Sequence, residues 1–214
     1  DKVNCTGVGS TTAEKCALAG VRALLQAFSP CSATLSSCGT VTSGNVANPT
    51  DRVSLYTFPG VTSSTVADDY NCSGKSPTIA SYKNSPTYQI VPFSSDYKSS
   101  DTATSLSTGS NIVKAAAGGT SSKCGITAVG GVGTYYADAI TAAQSYLAGD
   151  GFTTTQVNKV MIILTDGAAN ASSSDMPSGK ASNQCQQGIT AAQAAPAAGT
   201  TVYTVSYGSS TATG

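Results

Sequence analysis

The chain has 214 residues, eleven basic and eleven acidic side chains that cancel, only 10% charged residues, seven cysteines and no histidine. The length suits one α/β domain with a sizeable core, and sparse, balanced charge leaves no electrostatic footprint for nucleic acid or an anionic membrane surface. Without histidine the Ser-His-Asp and Cys-His catalytic arrangements are excluded, as are most zinc-ligand spacings, and no glycine-rich phosphate loop ending in Lys-Ser or Lys-Thr occurs.

The first predicted element is AEKCALAGVRALLQAF, residues 13–28. Ala17, Val21, Leu24, Leu25 and Phe28 recur three and four apart and give one apolar helical stripe. Thr11 and Glu14 form a capping-box pattern at its start, and Pro30 follows its end. Cys16 on this helix reads equally as a small buried hydrophobe or as half of a disulfide. RVSLYTF, residues 52–58, sets Val53, Leu55 and Thr57 against Ser54, Tyr56 and Phe58 and reads as a strand closed by Pro59-Gly60. Residues 60–85 are polar and turn-rich, a long surface excursion. TYQIVPF, residues 87–93, is a short strand whose Pro92 argues for an edge, because proline cannot donate to the ladder.

Residues 111–117 are expected to form a short helix. Beyond a glycine-rich loop, Tyr136, Ala139, Ile140, Ala143 and Leu147 have helical spacing, and Gly149 is placed to end that helix. Thr134 stands at or just before its start, after glycines that let the backbone approach something closely. Ordinary N-capping is the default for a threonine there, and a site position is the alternative. The aliphatic run Val160, Met161, Ile162, Ile163, Leu164 lacks polar alternation and reads as a strand buried on both faces. Asp166 follows at its carboxyl end, where open α/β sheets place their ligand crevice, although Asp-Gly also marks a plain turn. An alanine-rich helix over residues 182–195 and a last strand, TTVYTVSYG, residues 200–208, complete the chain. Alternation of this kind predicts an α/β fold: a doubly wound, mostly parallel sheet with helices on both faces, in a single domain over residues 1–214 with an insertion at about 60–130.

The seven cysteines sit mostly in Ser/Thr/Gly-rich surroundings, without a Cys-x-x-Cys pair, and point to disulfides in an oxidising compartment. Cys31 with Cys38 and Cys72 with Cys124 are the expected pairs. Seven is odd, so one thiol is buried and free or has its partner outside the chain. The longest aliphatic run falls far short of the roughly 20 residues of a membrane helix, so an anchor, if there is one, lies outside these residues.

Taken in order, these pieces resemble a von Willebrand factor type A domain. DRVSLYTF looks like its second strand, QIVPFSSDY like the short edge strand that follows, GGVGTYYADAI like the loop and helix carrying its threonine, VMIILTDG like its fourth strand and TTVYTVSYG like its fifth. Within that superfamily the Ser/Thr- and Cys-rich insertions and the TYYADAI variant look most similar to bacterial TadG-like proteins of tight-adherence pilus assembly. The resemblance implies a metal-ion-dependent adhesion site in which Thr134 offers its hydroxyl to Mg2+ or Mn2+ and Asp166 binds the ion through water. The ion would accept a Glu or Asp from a protein partner. Hard oxygen ligands and retained water suit magnesium.

The Asp-x-Ser-x-Ser motif that the family carries at the end of its central strand is absent, and DTATS at residues 101–105 follows no aliphatic strand. In the family that motif directly precedes the helix matched by residues 13–28. The segment therefore reads as truncated at both ends. A sheet lacking its central strand is expected neither to fold cooperatively alone nor to bind metal tightly, because two open ladder edges outweigh the roughly 5–15 kcal/mol of net stability a domain has.

The functional expectation is a non-enzymatic binding or adhesion domain of an extracytoplasmic bacterial protein. A structural surface or pilus component with a vestigial metal site is the alternative. A hydrolase using Asp166 ranks behind both, since the one adjacent carboxylate pair, Asp68-Asp69, falls in a polar loop.

Overall fold

The computed structural model describes residues 2–5, 9–61, 87–117, 134–149, 157–165, 169 and 183–206. Asp166, Cys72, Cys124, Asp68 and Asp69 lie outside the described residues. The chain divides into two compact units, the first comprising Asp1–Leu55, Ser63–Thr78 and Gln89–Val129 and the second Tyr56–Thr62, Ile79–Tyr88 and Gly130–Gly214.

In the first unit, strands β1 (Lys2–Cys5) and β2 (Gly9–Thr12) pair antiparallel, Lys2 opposite Thr12 and Cys5 opposite Gly9. Helix α1 (Ala13–Ala27) follows at once. Its N-cap is Thr12, whose hydroxyl accepts the Lys15 N–H at 3.4 Å, not the expected Thr11. Thr11 and Thr12 both pair in the ladder, opposite Val3 and Lys2, and Thr12 is the one that directly precedes the first helical residue, Ala13, with extended backbone as an N-cap requires. Cys16 forms a disulfide with Cys5 (Cα–Cα 5.9 Å), which ties the helix to the ribbon before it.

Leu18 and Leu25 are buried on α1, and Val21 and Phe28 flank Leu25, a stripe with steps of three and four. It packs on Val53 and Leu55 of β5 (Val53–Val61), Ile90 and Val91 of β6 (Thr87–Ser94) and Ile112, Val113, Ala115 and Ala116 of α2 (Asn111–Ala116). Strand β5 continues through Pro59-Gly60, two residues the sequence marks as its end. Strands β5 and β6 form a two-stranded sheet, so Pro92 lies on a strand with one neighbour among the described residues.

Between α1 and β5 the chain makes an antiparallel hairpin, β3 (Val41–Thr42) and β4 (Asn45–Val46). Its turn residues, Ser43 and Gly44, have φ of 50° and 78°. Two left-handed residues match the right-handed strand twist, which is why such short turns select glycine. The Gly44 carbonyl accepts the Ser95 and Asp96 N–H groups and docks the hairpin at the end of β6. Cys31 and Cys38 form the expected disulfide (Cα–Cα 5.6 Å) and pack with Val46.

The second unit carries α3 (Tyr136–Gly149), β7 (Lys159–Thr165), α4 (Gln184–Ala197) and β8 (Thr200–Ser206). Strands β7 and β8 pair in parallel, Lys159 opposite Thr200 through Thr165 opposite Ser206, with α4 between them in sequence. Parallel neighbours need such a crossover, because a tight turn cannot return the chain to the same end. Met161, Ile163 and Val202 share one face of the ribbon and pack on Ile140, Ala143 and Leu147 of α3 and Ala191 and Ala192 of α4. Of the opposite parity, Val160, Tyr203 and Val205 are exposed, while Ile162 and Leu164 are half-buried, as Ile163 is. Within the run 160–164 the helices pack on the face of Met161 and Ile163, and Met161 is the one fully buried residue, so the expected burial on both faces is only partial.

Among the described residues the strands form four two-stranded sheets, of which β7–β8 is parallel and β1–β2 and β3–β4 are antiparallel. The two disulfides fit an extracytoplasmic setting. Cys185 near the start of α4 is a free, exposed thiol.

Candidate functional site

The second unit joins the start of α3 to the carboxyl end of β7. Thr134 is half-buried, two residues before the first residue of α3. It does not immediately precede the helix as a simple cap would; Tyr135 does, and Tyr135 is buried against Ala137 and Ala191. The phenol of Tyr135 donates to Gln187 Oε1 on α4 at 2.5 Å. That of Tyr136 shares a hydrogen bond with the Thr165 hydroxyl, also at 2.5 Å.

The Tyr136 ring meets Phe58 of β5 edge-on, centroids 4.8 Å apart at 70°, a favoured aromatic geometry. Gly188 of α4 lies close by, and a Cβ built there would stand 3.4 Å from Tyr136 Cβ, at ordinary contact distance. Glycine here is therefore compatible with close helix packing without being required by it.

Thr165 is the last residue of β7, and Asp166 comes next in the chain. The structure thus joins two residues that lie close in the chain to the predicted site positions, Tyr136 two after Thr134 and Thr165 one before Asp166. Thr134 is placed, and Asp166 lies outside the described residues. The sequence signal for this contact was the tyrosine pair directly after Thr134: aromatic rings with polar tips, once buried, find a hydrogen-bond partner.

The electrostatics at the start of α3 work against a bare cation. A helix N-terminus carries roughly half a positive charge, and Asp138 in its first turn offsets part of it. Among the described residues no group of three or more His, Cys, Asp or Glu side chains is placed to hold a metal. The Thr134 hydroxyl is of a chemical class that magnesium accepts, and Asp166, the carboxylate the cation expectation calls for, lies outside the described residues.

Burial pushes the Tyr135 phenol up to about 12, with the Asp138 carboxylate adding to the shift. Tyr97 in the first unit, which donates to the Asp51 carbonyl at 3.1 Å, is raised further by burial and then by Asp51 and Asp101. An unfolded tyrosine ionises near pH ~10. Below that both states hold the proton and the full stability is present; above it the unfolded chain releases the proton first, and stability falls until the folded phenol also ionises. Ultraviolet titration of the ten tyrosines should show a late-ionising component that shrinks in Tyr135→Phe and again in Tyr97→Phe. Ionisation of all ten in one step near the ordinary value would contradict the burial.

No protein-family model matches the chain, and no characterised protein or solved structure is significantly similar to it. No helix among the described residues is long and apolar enough to cross a membrane.

Proposed function

We propose that the chain is a von Willebrand factor A-like domain, built on a doubly wound, mostly parallel sheet, that serves as a non-enzymatic, metal-ion-dependent binding domain of an extracytoplasmic bacterial protein. Pilus assembly of the TadG-like kind or surface adhesion is its setting. Thr134 and Asp166 hold Mg2+ or Mn2+, and the ion accepts a Glu or Asp side chain from a protein partner. Bound there, the ion supplies a Lewis-acidic coordination position for that carboxylate.

The observation that carries this reading is the hydrogen bond between Tyr136 and Thr165, which sets the start of α3 at the carboxyl end of β7. Ligand crevices of α/β sheets lie at that end. The parallel β7–α4–β8 unit supports the architecture, and the two disulfides support the compartment.

Titration of the chain with Mn2+, followed by the loss of the free ion's electron paramagnetic resonance signal, tests the site. One ion is expected to bind with a dissociation constant on the order of a millimolar, given a single carboxylate among the ligands. Asp166→Ala should abolish that binding and Thr134→Ala should weaken it. Binding that survives both substitutions would place the ion elsewhere. No binding by the unaltered chain would leave a structural surface or pilus component with a vestigial site.

A further inference from the structure

Strand β8 reads TTVYTVS, seven residues without charge, proline or glycine. Among the described residues its one strand neighbour is β7. Thr201, Tyr203, Thr204, Val205 and Ser206 are exposed, and Tyr203, at 57%, is the most exposed large apolar side chain among the described residues. A strand with a single neighbour presents a row of N–H and C=O groups along its other edge, which proteins blunt with a charge, a proline or a bulge. Strand β6 carries Pro92 and β7 opens on Lys159. β8 has no such device, and its β-branched, uncharged composition favours the addition of a strand.

The sequence of this edge matches itself. Two identical edges that meet across a two-fold axis perpendicular to the sheet run antiparallel and keep their faces. Centred on Tyr203, the middle residue of β8, that register sets Tyr203 opposite itself, Val202 opposite Thr204, Thr201 opposite Val205 and Thr200 opposite Ser206. Every position then has a partner, an aromatic pair sits at the axis, and no like charges face each other. The chain as a whole has no net charge, so copies do not repel at long range.

We propose that the chain forms a two-fold symmetric dimer through antiparallel pairing of β8 with β8 of a second copy, giving one continuous sheet in the order β7, β8, β8, β7. The pairing consumes the same edge in both copies, so the assembly closes at two. A ladder of this length is far smaller than the roughly 20–30 residues a side of a standard interface, and a dissociation constant of about 10–100 μM is expected.

Sedimentation velocity of the 214-residue chain carrying Cys185→Ser, which removes cross-linking through the exposed thiol, tests this between about 5 and about 500 μM. Monomer should pass into dimer without larger species. Tyr203→Lys and Tyr203→Glu, each added to that chain, set like charges together at the axis and should each weaken the dimer at least about tenfold, and an equimolar mixture of the two should restore it. Because Tyr203 is exposed, the β7 amides should exchange alike in all these chains at low concentration. Amides on the outer edge of β8 should gain protection as the concentration of the Cys185→Ser chain rises, while those of α1 do not change.

A monomer at every concentration would overturn the inference, as would a dimer indifferent to both Tyr203 substitutions. Growth beyond two copies would mark open-ended stacking and overturn the two-fold pairing. A dimer of the unaltered chain that Cys185→Ser abolishes would assign the association to the thiol instead.

Discussion

Replacing Lys98 by alanine is expected to destabilise the first unit by about 3 kcal/mol. The side chain is almost fully buried, and its ammonium donates to two backbone carbonyls, Gln26 and Asp101, each at 2.9 Å. Gln26 is in the last turn of α1, where helix carbonyls have no partner within the helix and the dipole is negative. No basic residue of α1 itself occupies that turn, so a lysine more than seventy residues later in the chain supplies the cation. Removing it strands two acceptors, although relief of the buried charge offsets part of the loss. Lys98→Met retains the stem and should cost about 2 kcal/mol, which separates the bonds from the packing. Hydrogen exchange of the α1 amides reads either change without requiring the whole chain to unfold in one step. Protection in Lys98→Met equal to that of the unaltered chain would show that the ammonium contributes nothing.

Removing the Cys31–Cys38 bridge by the double substitution to alanine should cost about 2.5 kcal/mol from the restored freedom of the short loop it closes. Some apolar contact with Val46 is lost as well, since both cysteines are buried there. The Cys38 N–H donates to the Ser99 carbonyl at 2.8 Å, so the bridge also holds the segment after β6 in place. Guanidinium unfolding should show that difference between the unaltered chain and the double variant, and reductant, which opens Cys5–Cys16 as well, should lower the midpoint of the unaltered chain at least as far. Equal midpoints in all three would mean that the bridge closes a loop already ordered in the unfolded ensemble.

The sequence was most informative where burial is periodic. Helices α1, α2 and α3 and strands β5, β6, β7 and β8 all fall where three-four spacing or β-rich runs place them, within a few residues at their ends. Strands β1 to β4 were not legible, because two to four residues such as GSTT or VT carry no period; a disulfide and a glycine turn make them. Cys31–Cys38 was readable from its closeness in sequence. Cys5–Cys16 was not, since a cysteine on a helix face serves equally as a hydrophobe. Of the two expectations for the odd thiol, burial does not fit Cys185, which is exposed, and a partner outside the chain stays open. At the site, Thr134 stands ahead of α3 as its glycine-rich approach suggested. The tyrosine pair signalled a buried hydrogen bond but not its partner, because no local rule links Tyr136 to Thr165, 29 positions away.

The six residues from Ser32 to Ser37 are all exposed, while the cysteines on either side of them are buried and joined. A protease that cut this segment would therefore release nothing: the new ends would stay fastened through sulfur, and the nick would surface on a gel only after reduction.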